Sequence, residues 1–174
     1  MPLAGSNAQR ATLIAIIVMV SGLLGYAYYT QYVEYLDPCP LCLTQRFFYF
    51  LCGIFALLAL FRAGSVRWQK TLSTFIFISS TAGIGTASRQ VWLQHLPPDK
   101  VPECGPGLQY WIENMPFLRT LELLFKGDGN CAEVDWTFLG LSMASWSLLM
   151  FVLVAVVSIW LFFCRSRLSL MLTD

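Results

Sequence analysis

"ATLIAIIVMVSGLLGYAYYT", residues Ala11 to Thr30, contains no charged side chain and is long enough, as a helix, to cross a hydrocarbon core of roughly 30 Å. Two readings compete for it. A secretory leader has a shorter apolar run, a small-residue cleavage site after it, and a polar chain beyond. Here the run is long, no convincing site follows, and three more apolar segments do. The stretch is predicted to be a retained membrane helix.

The three further segments differ in strength. "FFYFLCGIFALLALF", Phe47 to Phe61, sits between Arg46 and Arg62, whose long side chains can snorkel to its two ends. "TLSTFIFISSTAGIGTAS", Thr71 to Ser88, is rich in small residues that suit close helix packing better than lipid contact. "WSLLMFVLVAVVSIWLFFC", Trp146 to Cys164, is the most continuous of all. With 57% of 174 residues hydrophobic and 12% charged, the chain has too few polar groups to clothe a soluble domain. The predicted fold is an all-α membrane protein, one transmembrane domain over residues 1–174. Its bundle has four transmembrane helices, over about 11–30, 45–62, 71–90 and 145–164, with loops over about 31–44 and 91–144. A formal net charge of +1 gives no concentrated basic surface, so no nucleic-acid partner is expected.

Four crossings place both termini and the Arg62 to Lys70 connection on one side, with Arg10, Arg62, Arg67, Lys70, Arg165 and Arg167. The opposite loops carry only Lys100, Arg119 and Lys126, with Arg46 and Arg89 at nearby helix ends, and every acidic residue except Asp174. By the positive-inside rule the termini are predicted to be cytoplasmic. Tyr26, Tyr28, Tyr29, Tyr32, Tyr35, Trp92 and Trp146 then form an outer aromatic belt, with Trp68 and Trp160 at the inner face.

This topology sorts the six cysteines. Cys39 and Cys42 fall in the short outer loop and Cys104 and Cys131 in the long one, whereas Cys52 and Cys164 lie within helices, where cysteine usually packs as a small hydrophobe. A four-cysteine zinc site normally uses two close pairs, and only Cys39 and Cys42 are close, so no metal is expected. For Cys104 and Cys131 a plain structural staple is a serious alternative, since closing so long a loop contributes on the order of 3 to 4 kcal/mol. For Cys39 and Cys42 it fails, because so small a ring removes little chain entropy and stores strain.

Reactivity explains "LDPCPLCLTQRFF", Leu36 to Phe48, better. Pro38 or Pro40 suits the first position of a helix, which puts Cys42 in its first turn, where unpaired amides and partial positive charge favour a thiolate. Arg46 follows four residues later on the same helical face and adds a second positive field. His95, the only histidine, comes just after the third segment, level with the cysteine loop, where it can donate a hydrogen bond to a bound carbonyl. In the long loop, "LQYWIENMPFLRTLELLF" puts Leu108, Trp111, Ile112, Met115, Leu118, Leu121 and Phe125 near helical spacing, with Pro116 as a break. The segment is predicted to be a short amphipathic helix, lying on the membrane interface or packed on the bundle. "KGDGN", Lys126 to Asn130, is a flexible turn just before Cys131.

"PCPLCLTQR", "ECGPGLQYW" and "GNCAEVDWTFLGLSMASW" together resemble the bacterial disulfide bond formation protein B family, DsbB, and the likeness runs from the first helix to the last. The resemblance implies a four-helix inner-membrane enzyme with its active cysteines on the periplasmic side. Such an enzyme reoxidises a periplasmic DsbA-like thiol oxidase and passes the electrons to a membrane quinone, either ubiquinone or menaquinone. It also implies roles. Cys104 forms the mixed disulfide with the partner, Cys131 links transiently to Cys39, and Cys42 faces the quinone with Arg46 and His95 near its oxygens. Two other classes fit paired cysteines on four helices. A reductase of the vitamin K epoxide type carries its Cys-X-X-Cys late in the chain, and a scaffold with two structural disulfides keeps both oxidised whatever partner is added.

Overall fold

A computed structural model describes residues 4–62, 65–105, 110, 113–134 and 136–170. Four long helices make the body: α1 (Ala4–Tyr32), α2 (Pro40–Phe61), α3 (Val66–Gln94) and α5 (Met143–Leu170). A shorter helix, α4 (Phe117–Lys126), and a two-stranded antiparallel hairpin, β1 (Thr137–Phe138) and β2 (Leu141–Ser142), lie in the connection between α3 and α5.

Among the described residues three stretches are long and apolar enough to cross a membrane: Asn7–Tyr32, Pro40–Phe61 and Met143–Cys164. The α3 helix is as long as α1 but more polar, and its polarity is turned inward. Gln69, Ser73, Ser79, Ser80, Thr86 and Gln90 are buried, while Phe75, Phe77 and Ile78 are exposed. Its small hydroxyl residues return their hydrogens to their own helix, as Ser80 does to the Phe77 carbonyl at 2.9 Å and Thr86 to that of Gly83 at 2.9 Å. Small side chains with satisfied hydroxyls allow close helix approach, so α3 packs between α2 and α5.

The core joins Leu13, Ile16 and Val20 of α1 to Tyr49, Cys52 and Ala56 of α2, Ile76 of α3 and Phe151 of α5. Phe151 stacks on Tyr49 with ring centroids 4.0 Å apart, and its ring lies on the α3 backbone at Gly83, where a Cβ would stand 2.3 Å from it. Only glycine fits there. The Tyr49 hydroxyl donates to the Ser147 carbonyl at 3.0 Å, which keeps a buried polar group bonded.

Around this core α1 packs on α2, α2 on α3 and α3 on α5, but α5 barely touches α1. The hairpin covers the outer part of that gap. Its turn puts Leu139 and Gly140 at φ 52° and 78°, both positive as a tight two-residue hairpin requires. Trp136 meets Tyr26 of α1 at 5.7 Å and Phe138 meets Trp146 of α5 at 6.0 Å. The Trp146 indole N–H also donates to the Phe138 carbonyl at 3.0 Å.

The amphipathic stretch of the long loop is helical from Phe117, immediately after Pro116. Leu108, Trp111 and Ile112 lie outside the described residues. The α4 helix packs on α2 through Phe125, whose ring is 6.4 Å from that of Phe48, while Phe117 and Leu118 remain 76% and 78% exposed. One edge therefore meets the bundle, and apolar side chains stay uncovered at its start.

Candidate functional site

The cysteine motif begins α2. Pro40 takes the first helical position, where its missing N–H costs nothing, and Cys39 is the N-cap. The Cys39 sulfur accepts a hydrogen bond from the Cys42 backbone N–H at 3.3 Å, a role more often filled by serine or aspartate. Capping geometry brings the two sulfurs to 2.6 Å, close enough to join as a disulfide.

Cys131 completes the group. It is fully buried and clusters with Cys39, Leu41 and Leu93. Hydrogen bonding with Cys131 first, then with Cys42, then burial, hold the Cys39 thiol far above the ordinary thiol range.

Cys104 stands one layer out. It is exposed, and its sulfur lies 2.9 Å from where a Cβ on Gly129 would be. The Gly129 N–H donates to the Glu103 carbonyl at 3.2 Å, so the absence of a side chain at Gly129 lets the Cys104 strand lie against the turn that carries Cys131. Asp128, buried in the same turn, ties the two together: it accepts from the Gly105 N–H at 3.2 Å and from the Cys131 thiol at 3.6 Å.

Two clefts meet at the pair. The inner one, about 230 Å³, opens in the gap between α1 and α5 and is lined by Leu23, Leu24, Ala27, Tyr49, Trp136, Phe138, Trp146 and Met150. Its few polar side chains, among them Gln45, Arg46 and Gln90, gather at the end where Cys42 lies. The outer one, about 90 Å³, is lined by Asp37, Cys39, Gln94, Asn130 and Glu133. Cys42, Arg46 and Gln90 line both, whereas Cys39 lines only the outer.

Arg46 is held in place by α1. Its guanidinium donates to the Gln31 side chain and, at 2.9 Å, to the Ala27 carbonyl, and it lies 5.3 Å from the centre of the Tyr28 ring. His95 stands apart. It is the C-cap of α3, exposed, with Nδ1–H donating to the Val91 carbonyl at 2.8 Å, and it lines neither cleft. Cys52 is buried in the core and Cys164 is half-buried in α5, both away from the clefts. Among the described residues no cluster of metal-ligating side chains occurs.

Several contacting residues were not singled out from the sequence. Gln90 of α3 donates to the sulfurs of Cys42 and Cys39 at 3.2 and 3.4 Å, and Gln45 of α2 donates to the Gln90 side-chain oxygen at 2.7 Å. Asp128 is the third. A signal for Gln90 was present: the small and polar residues Gln69, Ser73, Ser80, Gly83 and Thr86 form a stripe at helical spacing, and its continuation lands on Gln90.

A helical bundle with membrane-length apolar helices, a contacting Cys-X-X-Cys at one helix mouth and a third cysteine packed on it defines a membrane protein of thiol–disulfide chemistry. Comparison with known proteins narrows the class. The family model described as "Disulfide bond formation protein DsbB" matches residues 9–161. The chain is 38% identical over 157 residues to "Disulfide bond formation protein B" of Azoarcus sp. (strain BH72), covering 90% of this chain and 94% of that protein. It is 40% identical to the protein of that name from Hahella chejuensis, covering 88% and 92%, and 45% identical to the one from Nitrosococcus oceani, covering 79% and 82%. The chain belongs to the disulfide bond formation protein B family.

Proposed function

We propose that the chain is a quinone-dependent thiol oxidoreductase that reoxidises a DsbA-like periplasmic dithiol oxidase, supporting disulfide formation in exported proteins. The observation that carries this reading is the position of Cys42, the one cysteine common to the outer, polar cleft and the inner, apolar one. Cys104, exposed, receives the partner's thiolate. Cys131, beside it in space and against Cys39, takes the electrons inward by attack on the Cys39 sulfur, and Cys42 is left holding the electron pair at the mouth of the inner cleft.

The residues of the inner cleft suit a quinone. At about 230 Å³ it is smaller than the roughly 300–1,000 Å³ of sites that enclose drug-sized ligands, so it suits one ring with a tail running out toward lipid rather than a dinucleotide. Its apolar walls match such a ring, and Arg46 and Gln45 at the Cys42 end offer N–H groups for carbonyl oxygens. When bound, the quinone supplies a two-electron acceptor. Arg46 contributes fixed positive charge beside the electron-rich sulfur, Tyr49 and Trp146 wall the cleft, and the hairpin limits water from the outer side. His95 is left out of the proposed site because it lines neither cleft.

Energetics require a strong acceptor. A DsbA-like partner sits near about −120 mV and an ordinary isomerase dithiol near about −180 mV. That gap of roughly 60 mV is about 2.8 kcal/mol for two electrons, and it runs the wrong way for an ordinary dithiol to oxidise the partner.

The same proposal counts α3 as a fourth crossing. At 29 residues it spans about 43 Å, its polar side faces α2 and α5, and its exposed residues include Phe75, Phe77 and Ile78. Both termini are then cytoplasmic and the cysteines periplasmic, in the bacterial inner membrane, by the distribution of arginine and lysine. Purified protein in detergent is expected to oxidise a reduced thioredoxin-fold partner through many cycles only when quinone is supplied. Undiminished cycling without quinone overturns the proposal.

A further inference from the structure

The Gln45–Gln90 pair is unusual for the interior of a helical bundle. Both amides are almost wholly buried, at 5% and 4% exposure. A buried amide normally finds oxygen acceptors, and sulfur is a weak one. Gln90 nevertheless gives its N–H groups to two sulfurs, Cys42 at 3.2 Å and Cys39 at 3.4 Å. The orientation is set from the other end, since Gln45 donates to the Gln90 oxygen at 2.7 Å and so turns the nitrogen toward the cysteines. Oxygen and nitrogen of Gln90 are thereby each committed.

We propose that Gln90 is a catalytic hydrogen-bond donor to the leaving sulfur of the Cys39–Cys42 disulfide, and that Gln45 is the positioning residue that aims it. The inference rests on the reading of these cysteines as an exchanging pair. In the step concerned, Cys131 is the thiolate expelled when the partner's thiolate takes Cys104 out of the Cys104–Cys131 disulfide. Its thiolate attacks the Cys39 sulfur, the Cys131–Cys39 bond forms, the Cys39–Cys42 bond breaks, and the electron pair departs on the Cys42 sulfur. Cys131 is oxidised from thiolate to disulfide as Cys42 is reduced from disulfide to thiolate, while Cys39 stays at the disulfide level, so electrons and atoms balance within the chain. The Gln90 N–H nearer Cys42 meets the charge as it develops, and a bond to an ionised acceptor is about twice as strong as a neutral one. The other N–H holds Cys39 in line. Placement of the donor on Cys42 also biases which sulfur leaves.

The test needs no quinone, which separates its failure from failure of the proposed function. Full-length Cys39→Ser protein in quinone-free detergent presents Cys42 as a lone thiol, and its alkylation by iodoacetamide at neutral pH is followed by mass spectrometry of the Cys42 peptide. Adding Gln90→Met, an unbranched side chain with no donor, is expected to slow alkylation by about threefold to tenfold, the worth of a hydrogen bond to a charged group less the gain in nucleophilicity of a more basic thiolate. Gln45→Met is expected to slow it less, and to have no further effect once Gln90 is Met. A rate within twofold of the parent in Gln90→Met overturns the proposal, and so does a Gln45→Met effect of equal size in both backgrounds. Buried Cys52 is the folding control within each sample and is expected to stay unreactive. Should Gln90→Met expose Cys52, Gln45→Met alone carries the test: it keeps Gln90 but frees its amide, and an unchanged Cys42 rate then overturns the proposal.

Discussion

Cys42→Ser protein is expected to lose all quinone-dependent turnover while keeping its fold. The side chain packs against the cluster of Cys39, Leu41, Leu93 and Cys131 and accepts from Gln90, but it differs from serine by one atom, so the cost is expected to be about 1 kcal/mol, typical of a point substitution. The α2 cap also survives, because it is the Cys42 backbone N–H, not its side chain, that bonds to the Cys39 sulfur. Chemistry does not survive. A serine oxygen neither forms a disulfide with Cys39 nor leaves with an electron pair, and no other cysteine lines the inner cleft. On the proposed relay a Cys104–Cys131 disulfide oxidises one equivalent of partner and then stops. A stopped-flow or quenched assay measures this as a single stoichiometric burst with no steady phase, and continued cycling would contradict the assignment of Cys42.

Cys104→Ser is expected to give an equally complete loss of partner oxidation by a different route. Cys104 is the exposed cysteine of the connection between α3 and α5, whereas Cys131 is fully buried behind it. A folded partner protein can reach the first and not the second. Because Cys104 lines neither cleft, quinone binding is expected to be unchanged, and Cys39 and Cys42 keep their contact. Gel trapping after addition of reduced partner should show no mixed disulfide in the variant. A mixed disulfide formed at Cys131 instead would show that the outer loop opens and that burial in this conformation does not govern access.

How much of this was open to reading in the chain varies by element. The apolar runs of α1, α2 and α5 announce themselves, and proline marks two helix starts, Pro40 at α2 and Pro116 before α4. Proximity of Cys131 to Cys39 follows from no spacing rule, since it depends on the turn at Asp128 to Cys131 folding over α2. The hairpin at Thr137 to Ser142 was hidden because its turn uses Leu139 at positive φ, where asparagine or glycine is the usual signal.

Histidine and glutamine show the limits of register. His95 and Gln90 are five residues apart on α3, about 140° around the helix, so a face that turns Gln90 to the cysteines turns His95 away. Gln94, four residues on, stays near that face, lines the outer cleft and accepts from the Ser142 hydroxyl at 2.7 Å. Position along the helix was legible in the sequence, while direction around it needed the packing of α2 on α3. Gln45 lies inside the cysteine motif next to Arg46, and only the packing of α2 on α3 shows that its amide meets Gln90.

The central claim is that electrons pass from the outer pair through Cys39 and Cys42 to a quinone. It is tested most directly by trapping the redox state of Cys39, Cys42, Cys104 and Cys131 in membranes given reduced partner, with and without quinone. With reduced partner in more than about a hundredfold excess over oxidised, enough to offset a gap of roughly 60 mV, all four are predicted to be reduced when quinone is absent, and both pairs to return to disulfides once it is supplied. Cysteines that stay oxidised in both conditions, or reduced in both, would contradict the account.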